Sequence, residues 1–79
     1  MLPTMQKPDR VLAAFGQNIR RLRQEKELSQ EALAVKAALD RAFLSGIESG
    51  TRNPGILTVT KLAKALGVSG AKLMEGVGV

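Results

Sequence analysis

The sequence predicts an all-α fold, a compact bundle of five short helices. Three observations predict it. Apolar residues recur at helical spacing in successive runs: Leu12, Phe15, Ile19 and Leu22, then Leu33, Ala34 and Ala37, then Leu44 and Ile47. A residue able to cap a helix N-terminus precedes four of the helices, namely Asp9, Ser29, Asp40 and Ser69. Glycines stop two of them, Gly50 and Gly67.

Composition narrows the function. Seventy-nine residues make one domain, and a core this small is marginal, so dimerisation is a natural supplement. Twelve lysines and arginines against 7 acids give a formal charge of +5, which favours a polyanionic partner, nucleic acid before anionic membrane. Cysteine and histidine are both absent, and the acids form no cluster, so no metal or other cofactor is expected. General acid–base and nucleophilic roles lack candidates, which argues against an enzyme and a small-molecule substrate. No run of about 18 apolar residues exists to span a membrane. The start, MLPTMQKPDR, lacks the apolar core of a signal peptide, so a cytoplasmic protein is expected.

Taken in order, residues 1–8 carry two prolines and little periodicity and read as a flexible lead-in; the domain is expected over 9–76 and a tail over 77–79. The first helix, capped by Asp9, runs to about Lys26; Arg20 and Arg21 point away from its apolar stripe, where a solvated face is the expectation and phosphate contact the alternative. The second covers Gln30 to Ala37, and a tight turn at Ala38-Leu39 leads to the third, from Asp40 to the stop at Gly50. At about 100° per residue, Leu44 and Ile47 share one side of the third helix. Ala42, Ser45, Gly46 and Ser49 fall opposite, and Arg41 and Phe43 lie on the flanks. A face of small residues with one arginine at its N-terminal end can enter a DNA major groove without clashing.

Glu48 falls only about 40° from Leu44 on the same projection, near the buried side. A buried carboxylate needs a partner, and Arg23, one turn after Ile19 and flanking the first helix's stripe, is the best candidate. Past the loop Gly50 to Pro54, Ile56, Val59, Leu62, Ala63 and Leu66 make the buried stripe of a fourth helix, with Leu57 on its far side near Lys61 and Lys64. Ser69 caps a fifth, Gly70 to Glu75, with Leu73 inward. Val68, Ala71, Met74 and Val77 then either complete the core or form a patch for a second copy.

The run LSQEALAVKAALDRAFLSGIESGTRNP resembles the helix-turn-helix of the Cro and phage-repressor family, whose domains are lambda-repressor-like. The match extends through TVTKLAKALGVS and back to NIRRLRQEKE. LDRAFLSGIESGTRNP is also similar to the controller proteins of restriction–modification systems. The resemblance implies a sequence-specific regulator that binds a palindromic operator in double-stranded DNA as a homodimer, represses or activates, and in activation contacts RNA polymerase. It places Arg41 on a guanine, Ala42 on a thymine methyl, Phe43 on a sugar or thymine methyl, and Ser45 on a base or phosphate. Gln30, Gly46, Ser49, Arg52 and Asn53 would meet the DNA backbone. Leu57, Val68, Ala71, Met74 and Val77 would form the dimer interface. Glu27 and Ala38 depart from the family, which usually has glycine at both turns. An antitoxin that also binds a partner toxin is the alternative, though only short tails are available to wrap a toxin.

Overall fold

The computed structural model describes residues 9–79; the expected lead-in lies outside the described residues. They contain five helices and no strand: α1 (Arg10–Glu25), α2 (Gln30–Lys36), α3 (Arg41–Ser49), α4 (Ile56–Leu66) and α5 (Gly70–Leu73). Capping sets four of the five starts. Asp9 Oδ1 accepts from the amides of Val11 and Leu12 at 2.8 and 3.3 Å. Ser29 Oγ accepts from Ala32 at 3.0 Å, Asp40 Oδ1 from Ala42 at 2.8 Å and Ser69 Oγ from Lys72 at 3.1 Å. Only α4 begins without a side-chain cap, at Gly55.

Four helices end alike, with one left-handed residue and an amide that reaches back into the last turn. Gly50 and Gly67 take this conformation at φ 80° and 68°. Glu27 and Ala38 take it without being glycine, at φ 56° and 54°, a cost of about 1 kcal/mol each. The following residues hold them there. Leu28 donates to the Arg23 carbonyl at 3.0 Å and Leu39 to that of Ala34 at 2.8 Å, and both leucines pack against the core.

The core draws on every helix: Phe15, Ile19 and Leu22 from α1, Leu33 and Ala34 from α2, Leu44 and Ile47 from α3, Leu62, Ala63 and Leu66 from α4, and Leu73 from α5, with Ala37 at the α2 C-cap. Ile56 corrects the expected α4 stripe: it is 79% exposed, and Leu57 beside it 76%. Its side of the helix is right, since it lines an apolar groove with Val59, but no described element covers the first turn of α4. α5 is also shorter than expected. The carbonyls of Leu73 and Glu75 accept from the side-chain amide of buried Asn18 on α1, at 2.8 and 2.9 Å, and the chain turns at Gly76, φ 74°.

α1 lies directly against the C-terminal half of α3. A Cβ at Gly16 would overlap the carbonyl oxygens of Ile47 and Glu48, so only glycine permits this approach. Gly50 meets the backbone of Ala13 in the same way. The third helix is therefore fixed by main-chain contact as well as by its two buried apolar side chains.

Candidate nucleic-acid interface

With Leu44, Ile47 and Glu48 turned inward, α3 exposes Arg41, Ala42, Ser45 and Ser49. Arg41, Ala42 and Ser45 line one open recess of about 340 Å³, and Gln30 from the start of α2 closes its side. Phe43 stands apart from them: it is half-buried and packs against the core. Its ring is a fixed flank of the exposed face rather than part of the recess.

Beneath this face sits Glu48, whose side chain is fully buried. Arg23 grips both carboxylate oxygens, Nε donating to Oε2 at 2.7 Å and Nη2 to Oε1 at 3.0 Å. Arg23 Nη1 donates to the Leu28 carbonyl at 2.8 Å and so ties the α1–α2 turn to the same cluster. Two further donors reach Oε1: Gln30 Nε2 at 3.0 Å and Arg20 Nε at 3.4 Å. Burial alone pushes the Glu48 carboxyl up and is the largest single influence. The hydrogen bonds from Arg23 and Gln30, the Arg23 charge and the bond from Arg20 together outweigh it and hold the group below its ordinary range. Glu48 is therefore a carboxylate at neutral pH, and no buried side-chain polar atom among the described residues lacks a partner.

This cluster changes the placement of two residues. Arg20 turns back to Glu48 rather than standing wholly on a solvated face. Gln30 commits one Nε2 hydrogen to Glu48, leaving the other and its main-chain amide to donate to any phosphate. Long side chains with several rotatable bonds select partners that periodicity does not specify. Asn18 did carry a signal: its spacing from Phe15 and Leu22 puts an amide on the buried stripe, where it must find acceptors.

The loop after α3 folds back on the helix. The Gly46 carbonyl accepts from the amides of Thr51 and Arg52 at 2.9 and 3.1 Å and from Ser49 Oγ at 3.1 Å. Ser49 Oγ also pairs with Thr51 Oγ1 at 3.0 Å. A Cβ at Gly46 would overlap the Arg52 Cγ, so the Arg52 stem lies across this glycine. Gly46 is thus half-buried as the seat of Arg52, not open main chain awaiting a phosphate. Arg52 is exposed at the edge of the α3 face. Asn53 lies elsewhere, on the apolar groove with Pro54.

That groove, about 290 Å³, is lined by α1, the start of α4 and the C-terminal turn. Of the residues expected at a dimer interface, Leu57, Ala71 and Met74 are exposed, whereas Val68 and Val77 are half-buried and pack against the core. Val11 and Ile56, not anticipated there, add exposed apolar surface. Among the described residues no group of three or more acids could hold a metal ion, and no helix is long and apolar enough to cross a membrane.

Two short helices joined by a tight left-handed turn, the second presenting an uncovered face of small residues and one arginine, define a helix-turn-helix domain. The helix-turn-helix family model matches residues 19–73, and the chain belongs to that family. The control protein C.BamHI of Bacillus amyloliquefaciens is 44% identical over 62 residues, 77% of this chain and 76% of that protein. The crystal structure of the restriction–modification controller protein C.AhdI from Aeromonas hydrophila superposes with a TM-score of 0.77 at 45% identity, over 78% of this chain and 94% of that one. The controller C.Esp1396I, solved as a tetramer with its natural 35 base-pair operator, gives 0.78 at 36% identity over 87% of this chain and 91% of that one.

Proposed function

We propose that this chain is a sequence-specific transcriptional regulator of the restriction–modification controller type, binding a palindromic DNA operator as a homodimer. One observation carries the reading: the small, exposed face of α3, with Arg41 at its head, is held immobile by main-chain contact with α1 and by Glu48 beneath it. A face so fixed presents no floppy side chain to a groove except a single guanidinium. Arg41 would pair with guanine O6 and N7, Ala42 would touch a thymine methyl, and Ser45 would bond a base or phosphate. Phe43 would brace a sugar or methyl from the flank. Arg52, with Ser49 and the start of α2 at Gln30, would engage the backbone and set register.

The exposed Leu57 and Met74, joined by Ile56 and Val11, would bury against a second copy. Two copies would set their α3 helices in successive major grooves about 34 Å apart. On an activating site RNA polymerase would be a second partner. The regulator would work in the cytoplasm, needs no cofactor and performs no catalysis. Selection of duplexes from random DNA tests this directly. A two-fold symmetric consensus, bound at least about a thousandfold more tightly than scrambled DNA at near-physiological salt, is the expected result. Equal affinity for every duplex would refute it.

A further inference from the structure

We infer that Arg20 is a phosphate-contacting residue of the DNA interface, aimed by Glu48. The inference rests on the DNA-binding reading above. Glu48 carries one negative charge, and Arg23 already covers both of its oxygens, at 2.7 and 3.0 Å. Arg20 is therefore a second cation on a carboxylate that needs only one. Its Nε bond to Oε1 is the longest of the set at 3.4 Å, and its side chain remains 51% exposed. Its two Nη groups have no hydrogen-bond partner among the described residues. The cluster thus bears a surplus positive charge whose outer edge faces solvent.

Position decides which anion completes it. Arg20 and Gln30 donate to the same oxygen, so they are neighbours, and Gln30 closes the recess that Arg41, Ala42 and Ser45 line. Arg20 consequently stands at the rim of the face offered to DNA. It reaches that rim from α1, outside the helix that enters the groove, where the duplex presents phosphates rather than base edges. A guanidinium anchored through Nε and open at Nη is oriented for charge-assisted bonds to phosphate oxygens. Fixing the side chain in advance lowers the entropy lost on binding.

The test uses the full chain and a duplex selected as above. Arg20→Gln removes the charge and Arg20→Lys keeps it, and circular dichroism checks that both variants are folded. Affinity is measured across a salt series on the selected and scrambled duplexes. Loss of one phosphate contact should flatten the slope of log affinity against log salt by about 0.9 and weaken binding roughly tenfold at 0.1 M salt. The loss should be equal on both duplexes and largely restored in Arg20→Lys. A slope in Arg20→Gln identical to the unaltered chain's would overturn the inference while leaving the DNA-binding reading intact. Absence of salt-dependent duplex binding by the unaltered chain would sink both. Methylphosphonate replacement of single phosphates gives a readout on the unaltered chain alone. One position beside the α2 start should weaken it to the extent the Arg20→Gln change does, and insensitivity at every such position would refute the contact.

Discussion

The two ends of α1 face opposite situations. From Gly16 onward it meets α3 across a junction in which every buried side-chain polar atom is matched: Gly16 admits the backbone, and Glu48 binds Arg23, Arg20 and Gln30. Its N-terminal half borders a groove where Val11, Ile56 and Met74 stay uncovered. The first region is over-determined within one chain; the second is left incomplete. The difference teaches where this small domain needs rigidity and where it needs company. A reading head must be fixed before it meets DNA, whereas unfinished apolar surface is a reason to pair.

The sharpest way to break this contrast is Glu48→Ala. It would strand Arg23 in a mostly buried site, and a loss on the order of 3 kcal/mol is expected in urea unfolding. A change below about 0.5 kcal/mol would show the junction to be ornamental. The milder Glu48→Gln should reveal itself through pH. The folded carboxyl lies below its ordinary value of 4.5, so the unfolded chain takes up the proton first as pH falls. The stabilisation is complete above that value and disappears as pH drops through the lower folded one. Glu48→Gln should flatten the acid limb of the stability profile, and an unchanged limb would assign it to other carboxylates.

Gly16→Ala comes next. Its Cβ has no room against two α3 carbonyls, and a cost of about 1–3 kcal/mol is expected, with weaker binding on all DNA as α3 shifts. Arg41→Ala should leave stability alone and cost about 1–3 kcal/mol on the selected site, relaxing the preference for guanine at one position. Equal loss on all sequences would remove base reading by Arg41. The smallest effect on the single chain belongs to the incomplete end. Leu57→Ser should change monomer stability by less than about 0.5 kcal/mol, since the side chain is 76% exposed, yet shift sedimentation toward the monomer. An unaltered sedimentation profile would place the second copy elsewhere.

How much of this was legible in the sequence follows from the same contrast. Caps, stops and apolar spacing are local, so the five helices and the helix-turn-helix could be read without coordinates. The position of Glu48 near Leu44 follows from the projection, as does its need for a cation. That Arg20 and Gln30 also arrive does not, because their reach depends on how three helices meet. Ile56 shows the opposite failure. Its spacing was sound, but periodicity states which side of a helix a residue occupies and not whether anything lies across from it. Glu27 and Ala38 hold turns that glycine would fill more cheaply, since Leu28 and Leu39 draw the chain back from beyond them.

Asn18 has a longer reach than its size suggests. By gripping the carbonyls of Leu73 and Glu75 it pins a four-residue helix, too short to persist by itself, onto α1. The rod that seats α3 is therefore also the rod that locates the chain's far end. In a pair of such molecules, the separation of the two probing helices would be gauged from one rigid strut per subunit. Slack in the connecting loops would not accumulate along the way, and such a pair would tolerate little variation in half-site spacing.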